Sequence, residues 1–243
     1  MIKALLKRDI KLTYKLFIVT NLIMVLLLIA LLFATKGLSE ASAKMIINQY
    51  FSLFATLIPY FYISSCANRL TVQQIERGHF AYTMAAPLKR NQVTSVSAIY
   101  LMTSILVSHI FYLLMGIIFI NVFGTNFPIS SYALITLGCF LLTLAVSGFS
   151  FLASVFFSTN ATATAVGLGI PLAFFLLHFV GDMFAGNKLL KLCKYLSLNS
   201  LFDIEKITQL DPIMFLYFGI LLVVGILLYT ASFITFNKRD LFI

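Results

Sequence analysis

The chain has 243 residues, of which 61% are hydrophobic and only 10% charged, with a mean hydropathy of +1.02. Soluble domains carry roughly 25% charged residues, so a water-soluble globule is excluded. A net charge of +9 would suit nucleic acid, but the Lys and Arg residues flank apolar runs, which is the pattern of membrane orientation and not of DNA binding.

Residues 1–17 read as a separate element, with an interfacial helix over 1–15. At 100° per residue Lys3, Lys7, Lys11 and Lys15 form an i,i+4 stripe with Arg8 beside it. Ile2, Leu5, Leu6, Ile10, Leu12 and Leu16 occupy the opposite arc. A helix so patterned lies in the headgroup plane, its basic residues anchored on anionic lipid. Asp9 falls in the middle of the apolar arc. Screening by Arg8 with lipid-edge water fits it, and so does an ion pair with a span residue or a partner.

A membrane crossing needs roughly 20 mostly apolar residues. Six segments qualify: Leu16–Ala34, Tyr50–Ala67, Val96–Val122, Ser131–Phe157, Ala163–Phe184 and Pro212–Phe236. The first follows a long basic helix and precedes no small-residue cleavage site, so it reads as a retained span. Pro59 interrupts the second span, and Pro171, His178 and Asp182 the fifth. Membrane helices tolerate such prolines when neighbours re-satisfy the freed carbonyls. An even number of crossings puts both termini on one side. Eleven of the 17 basic residues share that side with residues 68–95, which marks it as cytoplasmic.

Residues 68–95 are the one sizeable charged island between apolar segments. Leu70–Arg77 reads as a helix leaving the second span, and Gly78 can supply the positive φ of a helix stop. His79–Ala86 reads as a second short helical run ended by Pro87. In the fourth span Thr143, Ser147, Ser150 and Ser154 follow i,i+3/i+4 spacing, a polar stripe suited to close helix packing. In the fifth, Ala161, Ala165 and Gly169 make a small-residue ridge, and His178 and Asp182 stand one turn apart. Ionisable residues in a membrane are expensive and mark function by default. His178, Asp182, Ser147 and Ser150 are therefore the residues assigned to a substrate path, with structural hydrogen bonding as the competing reading. Residues 185–211 form the longest stretch outside the spans. Both a surface amphipathic helix and a re-entrant pair of half-helices fit its KLLKLCKYLSL run. The whole chain reads as one integral domain, 1–243.

Several chemistries are excluded. Cys66, Cys139 and Cys193 have no partner spacing for metal or disulfide. The nearest approach to a phosphate-binding loop, Gly181 to Lys188, has Asn187 where the lysine belongs and no hydroxyl after it. The chain is therefore not expected to bind or hydrolyse ATP itself, and no cofactor is expected in it. Gly148-Phe149-Ser150 resembles the nucleophile motif of rhomboid proteases, but the span two places later holds no histidine. No enzyme activity is expected.

Glu76-Arg77-Gly78-His79, followed by Met84-Ala85-Ala86-Pro87-Leu88-Lys89-Arg90 before the third span, resembles the coupling region of ABC-2-type transporter permeases. The basic N-terminal helix, the six spans, the short fourth-to-fifth connection and the basic ending Asn237-Lys238-Arg239-Asp240 are similar to the family in the same order. Leu88 departs from it, standing where many members have Ser or Thr. The resemblance implies an all-α integral membrane fold of type V exporter kind, in a bacterial cell membrane. It implies a half-transporter that pairs with a second permease, homo- or heteromeric, and with separate ATPase subunits that bind ATP and Mg. Glu76, Arg77, Gly78, Ala85, Ala86, Pro87, Leu88, Lys89 and Arg90 would meet the ATPase. The cargo implied is an amphipathic or hydrophobic one, most simply an exported peptide, with membrane lipid as the other contact. The competing class is a non-transporting scaffold or sensor whose island binds a regulatory protein.

Overall fold

The computed structural model describes residues 2–80, 90–124, 127–184, 194–195 and 197–238. Its helices are α1 (Ile2–Ala34), α2 (Glu40–Gln49), α3 (Ala55–Leu70), α4 (Val72–Glu76), α5 (Arg90–Phe123), α6 (Ile129–Phe156), α7 (Asn160–Met183), α8 (Ile204–Thr208) and α9 (Ile213–Lys238). A π-helical turn, Tyr50–Phe54, joins α2 to α3, and a 3-10 turn, Leu198–Leu201, precedes α8. Six helical stretches among the described residues are long and apolar enough to cross a membrane. The second of them starts earlier than its hydropathy indicates, at Ala41, because α2, the π turn, α3 and α4 run on from one another.

Residues 1–17 are not a separate element. α1 continues unbroken for 33 residues, about 50 Å at 1.5 Å per residue, against roughly 30 Å of hydrocarbon. α5, with 34 residues, is as long. Their N-terminal ends are pinned side by side. Asp9 of α1 is fully buried and accepts a hydrogen bond from Ser97 Oγ at 3.0 Å, and Thr13 shares one with Tyr100 at 2.6 Å. The middle of the apolar arc thus faces protein: Arg8 pairs with Asp9, as the screening reading expects, while the place given to lipid-edge water is taken by another span, through a hydrogen bond and not the ion pair of the alternative reading.

α6 is the centre of the bundle. It packs against α3, α5, α7 and α9, and its buried face includes Thr143, Ser147, Ser150 and Ser154. These hydroxyls tie it to its neighbours, as the stripe pattern predicts. Ser147 shares a 2.7 Å hydrogen bond with Tyr229 of α9, Ser150 donates to the Gly167 carbonyl of α7 at 2.7 Å, and Thr71, just after α3, donates to Ser154 at 2.6 Å. Thr143 stands 3.5 Å from His109 Nε2 of α5.

Two of α6's bonds solve a specific problem. Proline has no N–H, so in a helix it leaves the carbonyl four residues back without a partner. Pro59 frees Ala55 and Pro171 frees Gly167. The Ala55 carbonyl accepts from Cys139 Sγ at 3.3 Å, and the Gly167 carbonyl from Ser150. Both donors belong to α6. Close approach on the α7 side comes from Ala163, Gly167 and Pro171, which are buried. The predicted ridge of Ala161, Ala165 and Gly169 is exposed instead, with nothing within 4 Å of a Cβ added at Gly169. The spacing was right and the face was wrong, because the proline-freed carbonyl decides which face must meet α6.

Ser150→Ala should therefore lower stability by roughly 1–2 kcal/mol in lipid or detergent. In a Pro171→Ala background the restored N–H can take the Gly167 carbonyl, so most of that loss should vanish. Unfolding midpoints of the four proteins in this double-mutant cycle test it; strictly additive losses would show that the contribution of Ser150 does not come from satisfying the carbonyl that Pro171 frees.

Candidate functional site

The polar groups outside the packing stripe gather at two ends of the bundle. At one end lie the start of α1, the α3–α4 exit and the start of α7. The helix leaving the second span is interrupted once, at Thr71 (φ −124°, ψ −82°), and resumes as α4. Gly78 ends it with φ +71°, the left-handed stop expected from sequence. A Cβ there would meet nothing within 4 Å, so backbone conformation alone favours glycine.

Glu76 does not simply point into solvent. Its Oε2 accepts the backbone N–H of Asn160 at 2.9 Å, an unpaired donor in the first turn of α7. Gln73 donates to Asn160 Oδ1 at 3.2 Å, and Asn68 to Thr164 Oγ1 at 2.7 Å. Phe80 is buried edge-on against Phe236 of α9, their ring centres 5.7 Å apart. Residues 68–80 thus touch the fifth and sixth spans as well as continuing the second. Arg77 is exposed. Ala85, Ala86, Pro87, Leu88 and Lys89 lie outside the described residues, as does most of the predicted His79–Ala86 run, and Arg90 begins α5.

On α1, Lys3, Lys7, Lys11 and Lys15 are exposed, as a lipid-anchoring stripe requires. Arg8 departs from that role. Its Nε and Nη2 donate to Asp9 Oδ1 at 2.9 and 2.8 Å, so the guanidinium meets a buried carboxylate. Arg69 Nη1 donates to the Leu12 carbonyl at 3.3 Å and ties α3 to α1 at the same level.

At the other end, α2, the end of α7, the 3-10 turn and α8 line a half-open cavity of about 880 Å³. His178 and Asp182 line it. His178 Nε2 lies 3.3 Å from Asp182 Oδ2, and Lys194 bonds the other carboxylate oxygen. Asn199, also in the wall, accepts a hydrogen bond from the fully buried Tyr60 hydroxyl at 3.1 Å. Asp203 accepts the Lys206 N–H at 3.3 Å and so caps α8. The Lys206 ammonium bonds the Tyr217 hydroxyl at 3.0 Å, which holds its pKa above the usual lysine value. Of the four residues assigned to a substrate path, the structure brings His178 and Asp182 to one cavity. Ser147 and Ser150 are buried between helices and line none of it. Asn48, Asn199 and Glu205 of the cavity wall carried no motif. Their only signal was polar residues placed beside spans.

Residues 185–193 and 196 of the long 185–211 stretch lie outside the described residues. Among the described residues no group of His, Cys, Asp and Glu could hold a metal ion. No family model matches the chain, and no curated protein matches it.

Glu76→Ala should lower stability by about 1 kcal/mol, the usual cost of a lost acceptor at a helix N-terminus. Glu76→Gln keeps an acceptor oxygen and should lose less. Thermal unfolding of the purified proteins measures both; an Ala variant as stable as wild type would show that the tie to α7 is idle.

Proposed function

We propose that this chain is the membrane subunit of an ATP-driven exporter of ABC-2 type. It pairs with a second permease and takes its energy from separate ATPase subunits that bind ATP and Mg. In this reading both termini and residues 68–95 lie in the cytoplasm of a bacterial cell, and the cavity faces outward.

The observation that supports it most is the bond from Glu76 to the first turn of α7. An energy-coupling element must be stiff, and must be joined to more than the two spans it continues. Residues 68–80 extend α3, bond α7 through Glu76, Gln73 and Asn68, and seat Phe80 on α9. A push on this region from a soluble partner would reach three spans through hydrogen bonds and packed rings. The cargo is an amphipathic or hydrophobic molecule, an exported peptide being the simplest case. The outer end offers no large domain to select a sugar or an ion.

The chain purified from its native membrane in mild detergent should bring down a P-loop ATPase at equal stoichiometry. In Gly78→Val a β-branched residue is forced to positive φ, and cargo-stimulated ATP hydrolysis should fall severalfold while the ATPase stays bound. Recovery of the chain without any ATPase would replace this reading with that of a scaffold or sensor.

A further inference from the structure

α3 and the π turn before it carry a second polar stripe. Ser52, Thr56, Tyr60, Ser64 and Asn68 follow one another at i,i+4. The run is about 24 Å long, most of the ~30 Å thickness of the hydrocarbon. Its first members, Ser52 and Thr56, line the cavity. Its last, Asn68, bonds Thr164 of α7 toward the opposite end of the bundle, and the Thr164 hydroxyl bonds the Asn160 carbonyl.

Between these ends the stripe is closed off. Tyr60 is fully buried. Its hydroxyl donates to Asn199 of the cavity wall at 3.1 Å, and its ring clusters with Val146 of α6 and Phe175 of α7. Ser64, one turn further in, is buried too, and among the described residues its hydroxyl has no partner. In the stripe on α6, by contrast, every hydroxyl is bonded. A stripe that only joined helices would meet its hydrogen bonds throughout, because an unmet hydroxyl away from water is costly. Ser64 stands between two turns that face α7, with Phe175 at Tyr60 and Thr164 at Asn68. A hydroxyl so placed is matched to a polar group arriving from the cavity once Tyr60 moves aside.

We propose that the Tyr60–Asn199 hydrogen bond is the inner gate of the cavity, and that opening it admits water and uncharged polar groups between α3 and α7 as far as Ser64. The cavity is then the vestibule of a longer passage, whose α3 wall offers hydroxyls and an amide and no charge. This rests on the geometry of the cavity and not on the exporter reading, and its test needs no ATPase.

The test uses the full chain in nanodiscs, with Cys66→Ala, Cys139→Ser and Cys193→Ala so that a single introduced thiol reacts. Cys139→Ser keeps a donor for the Ala55 carbonyl. Hydroxyethyl methanethiosulfonate, a neutral polar reagent that modifies only thiols ionised in water, is added and the rate followed by intact mass. Ser52→Cys, in the cavity wall, should react fast in every background. Ser64→Cys should react slowly, and Tyr60→Phe, which removes the hydroxyl and keeps the ring, should raise its rate roughly fivefold. Asn199→Ala should do the same, and the two together should add nothing further, since both remove one bond. Ser65→Cys, on the exposed side of α3, should keep its rate throughout. A Ser64→Cys rate that Tyr60→Phe leaves unchanged, or a Ser65→Cys rate that rises in step with it, would overturn the gate.

Discussion

A carbonyl with no partner is tolerated in water and costly in hydrocarbon. The packing of this bundle follows from where its two span prolines put such carbonyls. Pro59 and Pro171 free the carbonyls of Ala55 and Gly167, and α6 supplies a donor to each, Cys139 and Ser150. To deliver both, α6 must lie between α3 and α7 with its polar stripe facing them. The same stripe then reaches α9 through Ser147 and the α3–α4 junction through Ser154. Apolar side chains alone could not fix this arrangement, since lipid tails solvate Leu and Phe as well as another helix does. The hydrogen bonds set which face meets which, and the two larger apolar clusters fill the space on either side.

The first helix is held by a different device. Its basic stripe is exposed, yet Asp9 on the opposite arc is buried with Ser97 and Arg8 around it. Removing a carboxylate from water is expensive unless it is paired and hydrogen-bonded, and here both conditions are met. The pair gives up one of the five basic residues of residues 1–15 as a lipid anchor. In return α1 and α5, each far longer than the hydrocarbon is thick, are registered against one another beyond the span. Residues 68–80 stand beside that junction through Arg69 and Leu12.

What the sequence made legible were the features that depend on one segment at a time. Six apolar stretches, the glycine stop at Gly78 and the hydroxyl stripe of α6 are all local patterns with a single physical reading. Relations between segments were not. The ridge at Ala161, Ala165 and Gly169 had the right spacing, but the choice of face rested on Pro171 and on a serine 21 residues earlier. Asp9 looked misplaced because its partner, Ser97, lies 88 residues away. Glu76 stood out by composition, yet its bond to Asn160 could not be read from either neighbourhood. The cavity wall was the least legible part. Asn48, Asn199 and Glu205 come from three different elements, and none carries a spacing that singles it out.

α7 joins the two ends. Asn160 in its first turn receives Glu76, and His178 and Asp182 in its last turns line the cavity. The 24 residues of α7 span about 36 Å. A straight α-helix would carry a displacement of one end to the other as a rigid rod. This one contains Pro171, and so has one backbone bond fewer to resist bending. The bond that replaces it comes from α6, so the stiffness of α7 at that point depends on how firmly Ser150 holds Gly167. In an exporter of the proposed kind, ATPase movement sensed at Glu76 would tilt α7 about this contact and change the separation of α7 from α2 and α8. The cavity lies between those elements, so its width would follow. The coupling region and the cavity would then meet through one helix and one serine.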